Sequence, residues 1–412
     1  MTSLPVSVVV VSRDRPALLL RCLTGLSQVQ YRPFEIVVVA DPAGCAAVKA
    51  SPLAGSVKLV SYDAANISGA RNVGIAHAAG EVVAFIDDDA VPEPTWLHYL
   101  AAPFQREDVA AVGGYVRGRN GISQQWGARG LDAQGHTHPL QLDSRRATVL
   151  HPPKGRAVKT EGTNMAVRRD VLVALGGFDP GFHYYLDETD LNLRLAHAGH
   201  ATAIAPLAEV HHGFAANRLR DARRVPRDLT EMGASWAVFQ RKHMPQAARA
   251  EHWAALRAAE RQRLLGHMVS GGLGPDDILR LMRGLERGYR EGLDRPRATV
   301  RLARHPEAAF QPVDFAPRSA TLIATRPLHR ARDYAEARAR VESGKEIVTL
   351  LNLSPDTRFH RVYFDPCGLW VQTGGLFGKS ERNEPLFRMT SRSRRVEKEK
   401  LRVASQRGFR ES

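Results

Sequence analysis

The sequence predicts an α/β fold in which a mostly parallel, doubly wound sheet fills the first half of the chain. Residues 6–11 and 35–40 are short apolar runs rich in Val, as expected of buried strands, and residues 16–26 between them have helical apolar spacing. Strands that alternate with helices at this spacing are typical of parallel sheets.

The elements that follow continue this alternation. Residues 57–61 are predicted as a third strand, residues 69–79 as a helix and residues 81–86 as a fourth strand. Ligands of such sheets bind at the carboxyl ends of the strands. Asp41 and the run 87–89 of three aspartates follow two of these strands, so we expect both acidic features at the ligand-binding edge.

The second half of the chain has a different pattern. Apolar residues recur at helical spacing within residues 216–295, which predicts amphipathic helices whose aromatic side chains pack in a core. Beyond residue 320 the pattern favours strands, and Asp365-Pro366-Cys367-Gly368 suits a type I turn in a hairpin. The predicted units are residues 1–215, a helical extension over 216–300, a small β-containing region over 301–390 and a charged, mobile tail over 391–412.

The charge is unevenly distributed along the chain. The formal net charge is +15, and residues 1–213 have 19 Lys and Arg against 20 Asp and Glu, whereas residues 214–412 have 39 against 23. This surplus predicts an anionic partner, such as a membrane surface, an acidic glycan or a lipid-linked phosphate, with a solvated basic surface as the alternative. Because no base-stacking aromatics are interleaved in the Arg-rich tail, no nucleic-acid partner is expected.

The three cysteines favour a reducing compartment. Cys22, Cys45 and Cys367 are odd in number and have no metal-ligand spacing, so neither a disulfide framework nor a zinc site is expected. The first apolar run ends at Ser12 and is too short for a membrane span. We expect a cytoplasmic protein that is either in solution or peripheral at the inner face of a membrane.

The three consecutive acids suggest a metal site. Unpaired carboxylates repel one another, and a divalent cation relieves this repulsion. Successive side chains of an extended chain point to opposite sides, so Asp87 and Asp89 share a face and can hold Mg²⁺ or Mn²⁺ against a diphosphate. The alternative is an Asp-rich loop that makes local turns and helix caps.

Five sequence blocks resemble the family 2 glycosyltransferases, enzymes of the nucleotide-sugar-binding GT-A fold. The blocks follow one another in the family's order over about residues 6–212, and they are VSVVVVSRDRPALLLRCLTGL, FEIVVVADPAG, SGARNVGIAHAAGEVVAFIDDDAVPEPTWL, GTNMAVRRDVLVALGGFDPGF and LDETDLNLRLAHAGHATAIAPLAEVHH. The second block departs from the family, since Ala40 stands where an acid usually precedes Asp41. The resemblance implies that residues 1–215 form a GT-A catalytic domain.

The resemblance also implies a set of donor and metal residues. A nucleotide-sugar donor is expected to bind Asp41, Arg71, Asp87, Asp88, Thr163 and Asn164. Asp41 would accept a hydrogen bond from the base, and Arg71 would contact the diphosphate. The metal, Mg²⁺ or Mn²⁺, is expected at Asp87, Asp89 and one of the adjacent pair His211 and His212.

The fifth block implies a general base for the acceptor hydroxyl. The family has a Glu-Asp pair before its Asp-Leu-x-x-Arg-Leu helix, whereas this chain has Asp187-Glu188. By position Glu188 is the predicted base and Asp187 its neighbour, and the alternative is that both acids cap the helix. The expected reaction is an inverting transfer to a glycan or lipid-linked acceptor, whose entrance would be bordered by the helical arginines Arg218, Arg220, Arg223 and Arg224.

Three other classes compete with this prediction. A nicotinamide-dependent dehydrogenase needs a Gly-rich turn after the first strand, where this chain has Ser12-Arg13-Asp14-Arg15-Pro16, so that class fits poorly. A non-glycosyl nucleotidyltransferase would also use acids on a metal, but the fifth block argues against it. An inactive sugar-nucleotide fold that serves as a scaffold on an anionic surface is the remaining alternative. The carboxylates at positions 87, 89, 187 and 188 argue against such decay of the site.

Overall fold

The computed structural model describes residues 3–213, 215–216, 218–296 and 300–409. Its first unit contains thirteen strands and six helices. The strands are β1 (Val6–Ser12), β2 (Phe34–Ala40), β3 (Lys58–Ser61), β4 (Val82–Asp87), β5 (Ala90–Pro92), β6 (Val109–Arg117), β7 (Gln124–Trp126), β8 (Arg129–Asp132), β9 (Thr137–Pro139), β10 (Thr148–Leu150), β11 (Arg156–Lys159), β12 (Met165–Arg168) and β13 (Ala201–His212). The helices are α1 (Pro16–Leu26), α2 (Pro42–Lys49), α3 (Ile67–His77), α4 (Trp96–Ala101), α5 (Arg169–Leu175) and α6 (Asp187–His197).

The main sheet has the order β10-β13-β6-β12-β4-β1-β2-β3, with β5 paired to β13 and β7 paired to β6. Strands β4, β1, β2 and β3 run parallel, with Val9 opposite both Val37 and Phe85, which confirms the predicted parallel sheet. Strand β12 is antiparallel to both neighbours, β4 and β6. The remaining short strands β11, β8 and β9 form a separate antiparallel sheet.

Both faces of the parallel part are covered, which explains its continuous apolar strands. Val8 and Val10 face a core that includes α1, whereas Val9 faces a second core on the side of α3. A Cβ atom at Gly74 would clash with the Val9 side chain, so a glycine here lets α3 approach β1 closely. This packing fixes α3 and its Arg71 against the carboxyl edge of the sheet.

Three helices follow, α7 (Thr230–His243), α8 (Gln246–Val269) and α9 (Pro275–Asp294). Helices α7 and α9 cross closely, since a Cβ atom at Gly288 would meet the Thr230 carbonyl and one at Gly233 the Leu285 carbonyl. The prediction of helix soon after residue 216 is wrong, because the described residues before Thr230 form turns and bends. The four arginines expected on a helix, Arg218, Arg220, Arg223 and Arg224, therefore belong to a loop.

The C-terminal module contains β14 (Ser319–Thr325), α10 (Arg330–Glu342), β15 (Glu346–Ser354), β16 (Arg361–Phe364), β17 (Trp370–Gly375), α11 (Arg392–Arg402) and α12 (Ala404–Arg407). Its sheet has the order β14-β15-β17-β16. The predicted hairpin is present, since β16 and β17 pair antiparallel across a turn in which the Gly368 N–H donates to the Asp365 carbonyl at 2.8 Å. Gly368 has a φ of +97°, a conformation that favours glycine.

The expectation of a mobile tail is wrong for residues 392–407. Arg395, Glu399 and Arg407 are all buried, because each charge has an opposite partner: Arg395 pairs with Glu399, and Arg407 pairs with Glu93 of the first unit. Charged composition is thus compatible with burial when ions are paired. Residues 410–412 of the predicted tail lie outside the described residues. The described part of the chain has no helix that is both long and apolar enough to cross a bilayer.

Candidate active site

The carboxyl end of β4 carries three acids with different surroundings. Asp88 is fully buried, with Ser12 donating a hydrogen bond to its Oδ2 at 2.7 Å and an Arg15 nitrogen 2.6 Å from its Oδ1. Burial raises the pKa of Asp88 to about 7, although Arg15 opposes this shift. The structure therefore places Asp88, a predicted donor-binding residue, beneath the sheet edge, where it fixes the turn after β1.

Asp87, Asp89 and His212 form a group of possible metal ligands at this edge. One ligand atom from each lies within 4.8 Å of the other two. His212 Nε2 is 3.1 Å from Asp89 Oδ1 and 4.0 Å from Asp87 Oδ2. Strand pairing produces this arrangement, because β5 places Ala90 opposite His212 and so brings the end of β13 next to Asp89.

The environment of Asp89 keeps it ionised. Burial alone would raise its pKa, but the hydrogen bond and charge of His212, the charge of Arg15 and an N–H donated by Ala215 lower the pKa overall. The Ala215 N–H lies 2.8 Å from Asp89 Oδ2. His212 Nδ1 lies 3.1 Å from the Gln125 amide, and this contact orients the ring so that Nε2 faces the acids.

His211 faces away from this group. Its Nε2 is 2.8 Å from Glu93 Oε1, and its ring packs edge-on against Trp370 at 5.0 Å between centroids. Neighbouring side chains of a strand point to opposite faces, so only one of the two histidines can reach the acids. Of the predicted pair, the structure brings His212 to Asp87 and Asp89 and directs His211 towards the C-terminal module.

A second acidic pair begins helix α6. Arg71 forms an ion pair with Asp187, and Lys159 Nζ lies 2.6 Å from Glu188 Oε1. The preceding residues Tyr185 and Leu186 have φ values of +77° and +67°, a left-handed conformation that is strained for such side chains. Strained backbone of this kind occurs where the surrounding structure fixes a functional side chain.

The two acids of this pair differ in proton affinity. Burial raises the pKa of Asp187 to about 7 despite the nearby Arg71. Burial would also raise the pKa of Glu188, but Lys159 outweighs it and lowers the pKa to about 2. Glu188 is also the more accessible, with a side chain 19% exposed against 4% for Asp187.

Arg71 joins the two acidic groups into one site. Its side chain is buried, it forms the ion pair with Asp187, and its Nη2 lies 3.3 Å from Asp87 Oδ1. The loop at Gly162 packs on the guanidinium so tightly that a Cβ atom there would lie only 2.9 Å from Arg71 Nη1. The predicted metal and base residues are therefore separated by a single side chain.

Asp41 lies at the carboxyl end of β2, as predicted. Its Oδ1 accepts the Gly44 N–H at 3.0 Å as the N-cap of α2, and its Oδ2 accepts the Asp14 N–H at 3.2 Å. Both oxygens thus already bind backbone, and capping of a helix is one role of this residue.

The loop before β12 holds the last two predicted residues. Asn164 is fully buried; its amide nitrogen donates to the Tyr115 and Ala208 carbonyls, and its oxygen accepts from Trp96 Nε1, all at 2.8 Å. These contacts hold strands together and direct Asn164 away from the acids. The Thr163 hydroxyl is buried and has no hydrogen-bond partner among the described residues.

Sequence reasoning missed three residues that complete the site: Arg15, Gln125 and Lys159. Arg15 lies in the turn after β1, where an Arg so close to a ligand-binding edge was a usable signal. Lys159 is 29 residues from Glu188, and Gln125 is 87 residues from His212, so no local motif links either pair.

The parallel sheet with acids at the end of β4, faced by a second acidic pair at a helix start, defines an α/β protein of the GT-A class. The profile of the family described as "Glycosyltransferase like family 2" matches residues 4–243, and the chain belongs to that family.

The proteins similar to the chain include two curated relatives and one solved structure. The O-antigen biosynthesis protein RfbC of Myxococcus xanthus is 29% identical over 227 residues, which cover 53% of this chain and 18% of that protein. The pre-mycofactocin glycosyltransferase of Mycobacterium tuberculosis is 28% identical over 224 residues, covering 52% and 44%. The chain therefore spans less than half the length of both. The mannosyltransferase PcManGT of Pyrobaculum calidifontis, in complex with GDP-Man and Mn²⁺, has a TM-score of 0.42 at 16% identity, covering 71% of this chain and 88% of that one.

Proposed function

We propose that this protein is an inverting glycosyltransferase that moves a sugar from a nucleoside-diphosphate sugar to an acceptor hydroxyl with the help of a divalent cation. The observation that carries the proposal is the position of Arg71, which touches Asp87 of the metal-ligand group and Asp187 of the helix-start pair. A leaving diphosphate and an acceptor hydroxyl must lie on opposite sides of one sugar carbon, so their binding groups have to be close together.

The ligand set suits a hard divalent cation. Carboxylates at Asp87 and Asp89 favour Mg²⁺ or Mn²⁺, and the His212 imidazole favours Mn²⁺ of the two. When bound, such an ion offsets the charge that develops on the leaving diphosphate. Arg71 supplies a second positive charge to the same region, and Asp41, which follows β2, would accept a hydrogen bond from the nucleotide base.

The helix-start pair supplies the base. Glu188 is the more exposed acid and stays ionised beside Lys159, so it can accept the proton of the acceptor hydroxyl. The hydroxyl oxygen then bonds to the anomeric carbon while the bond from that carbon to the diphosphate oxygen breaks. Asp187 positions Arg71. A single displacement of this kind inverts the anomeric configuration.

Turnover of nucleotide sugars tests the proposal. We expect hydrolysis of, or transfer from, a nucleoside-diphosphate sugar in a panel with Mn²⁺ or Mg²⁺, loss of this activity in EDTA, and NMR signals of the inverted anomer. Activity that persists in EDTA contradicts the role of the ion, and a retained anomer contradicts the single displacement. Metal-dependent binding of a donor without any turnover would favour the scaffold alternative.

The acceptor that we propose is a glycan or a lipid-linked saccharide. RfbC takes part in O-antigen biosynthesis, and this chain resembles it over the catalytic region. The surplus of positive charge in residues 214–412 would bring the enzyme to an anionic membrane or an acidic glycan. We expect salt-sensitive binding to anionic vesicles, and equal binding to neutral and anionic vesicles at low salt contradicts this part.

A further inference from the structure

A cleft beside the catalytic acids is lined by aromatic side chains. It has a volume of about 260 Å³ and lies between α7, α8 and the residues that precede α6. Tyr185, Trp236 and Trp253 form its aromatic walls, and Leu256, Glu260 and Arg263 continue the lining along α8. Trp236 is buried in a hydrophobic core, as the sequence pattern predicts, and contributes only part of its surface to the cleft, whereas Tyr185 is exposed.

The aromatic walls are rigidly held. Trp253 stacks on Tyr289 with ring centroids 3.8 Å apart, and Trp236 packs edge-on against Phe239 at 5.5 Å. Tyr185 meets Trp236 at 6.1 Å between centroids. The backbone of the preceding Tyr184 is tied to α7, because the Ser235 hydroxyl donates to the Tyr184 carbonyl at 2.7 Å.

Tyr185 is the aromatic residue of the cleft that is nearest in the sequence to the proposed base, Glu188. The residue remains 40% exposed although its backbone is strained. Consecutive Cα atoms are 3.8 Å apart, so the Tyr185 Cα lies within about 11 Å of the Cα of Glu188. Glu188 is the foremost of the charges that act on the Tyr185 hydroxyl, so this wall of the cleft lies near the proposed base.

We infer that this cleft binds the acceptor as a saccharide, with a pyranose ring packed against Tyr185 and the tryptophans and its hydroxyls bound at the polar rim. This inference rests on the proposed function and names its acceptor. The flat C–H face of a pyranose matches an aromatic wall, whereas its hydroxyls need both donors and acceptors.

The polar rim favours a sugar over a lipid chain. Arg263 pairs with Glu260 through Nε at 2.9 Å, and the Arg263 side chain is largely open to solvent. This pair offers N–H donors and carboxylate acceptors to hydroxyl groups. An isoprenoid chain would remove water from both charges without replacing its hydrogen bonds, which is costly.

Saturation-transfer NMR on the full chain tests the inference with saccharide probes and one lipid probe. The saccharide probes are methyl glycosides of glucose, galactose, mannose and N-acetylglucosamine, and the lipid probe is farnesyl phosphate. We expect transfer to the ring protons of at least one glycoside, and a roughly tenfold weaker affinity for it in Tyr185→Ala. Tyr363→Ala is the matched control, since Tyr363 is 44% exposed in the C-terminal module, and it should bind as the unmodified chain does.

A second variant protects the test against misfolding. Arg263→Ala changes an exposed side chain of α8 and should also weaken glycoside binding, with an unchanged thermal midpoint. No transfer to any glycoside, or farnesyl phosphate binding that Tyr185→Ala removes, overturns the inference. Metal-dependent donor hydrolysis without glycoside binding would contradict this inference but not the proposed function. Glycoside binding without any donor turnover would contradict the proposed function but not this inference.

Discussion

The site contains two acidic groups that are neutralised in different ways. At the helix start, Asp187 pairs with Arg71 and Glu188 with Lys159, so the protein itself supplies a permanent cation for each carboxylate. At the strand end, Arg15 lies beside Asp88 and Asp89, and the partner of Asp89 on the open side is the imidazole of His212 at 3.1 Å. Arg71 touches both groups.

This difference indicates which group needs an external cation. Asp89 is kept ionised by His212, Arg15 and the Ala215 backbone N–H, and His212 Nε2 faces the space between Asp87 and Asp89. The three strand-end carboxylates have Arg15 as their own cation and share Arg71 with Asp187, so a negative charge remains that a divalent ion can offset. The helix-start pair has no such deficit, so it is suited to moving a proton.

The largest expected effect comes from the strand-end group. Asp89→Asn removes a charge that holds the ion, and stabilisation worth several kcal/mol is lost, so we expect activity about 10,000-fold lower. The measurement is the initial rate of donor turnover in saturating Mn²⁺. Asp108→Asn is the matched control, since Asp108 is an exposed acid paired with Arg106, and its rate should not change. A rate for Asp89→Asn within tenfold of the unmodified chain contradicts the assignment.

Substitutions in the helix-start pair, Asp187 and Glu188, should lower activity less and should not prevent binding of the ion. We expect Glu188→Gln to lower kcat about 1,000-fold, within the range for a general base, with little change in the affinity for donor and Mn²⁺. Asp187→Asn should instead weaken donor binding, because Arg71 loses its ion-pair partner. If Asp187→Asn is the variant with low kcat and Glu188→Gln is mild, the two roles are reversed.

The pH dependence of stability separates the groups without any substrate. Asp187 and Asp88 have folded-state pKa values of about 7 against an ordinary 3.8, so they favour the folded state below pH 3.8 and lose that contribution as the pH rises towards 7. The pKa of Asp89 is lowered, so its contribution is present above its ordinary value and is lost in acid.

Urea unfolding of the ion-free chain measures this contrast. Asp187→Asn leaves Arg71 without its partner and lowers the absolute stability, but the stability difference from the unmodified chain should shift in favour of the variant as the pH rises from 4 to 7. The expected shift is on the order of 2 kcal/mol, because the neutral amide has no proton to lose. Asp89→Asn should show no such shift in that range. Parallel curves for Asp187→Asn and the unmodified chain would contradict the raised pKa of Asp187.

The sequence was informative where the signal is local. Runs of Val marked β1 and β2 because a parallel strand is buried on both faces, and the acids were found because they follow such runs directly. The four residues of β12 are strand-like in sequence, but so short a run does not show that the strand pairs antiparallel with both of its neighbours. The choice between His211 and His212 depended on the register of β13, which its pairing with β5 sets. Two adjacent histidines are equivalent in the sequence, so the sequence does not show which of them faces the acids.

Long-range ion pairs explain the remaining errors. A stretch as charged as residues 391–409 is mobile in isolation, but Arg407 finds its partner Glu93 at a separation of 314 residues. Lys159 likewise acquires its role only when β11 lies beside α6. Composition describes what a segment carries, whereas burial depends on the partner that the fold supplies.

The C-terminal module contacts the strand that carries His212. Arg407 Nε lies 3.1 Å from Glu93 Oε2, Glu93 Oε1 accepts from His211, and the Glu93 N–H donates to the Glu209 carbonyl of β13. The Arg407 guanidinium also lies over the Trp370 ring, 4.4 Å from its centroid. This buried chain of contacts holds the end of β13 against β5, which carries the metal-ligand geometry.

The smallest expected effect is therefore a weaker metal site after a change far from it in sequence. We expect the double variant Arg407→Met with Glu93→Gln, which leaves no buried charge unpaired, to raise the Kd for Mn²⁺ about three- to tenfold, as removal of outer ligand contacts does. Isothermal titration calorimetry measures this Kd, and the thermal midpoint without ion reports any general loss of stability. The variant Arg407→Lys retains the charge and should recover part of the affinity. If the double variant binds Mn²⁺ as tightly as the unmodified chain, the C-terminal module supports the fold but not the site, and the strand-end group owes its geometry to β5 and β13 alone.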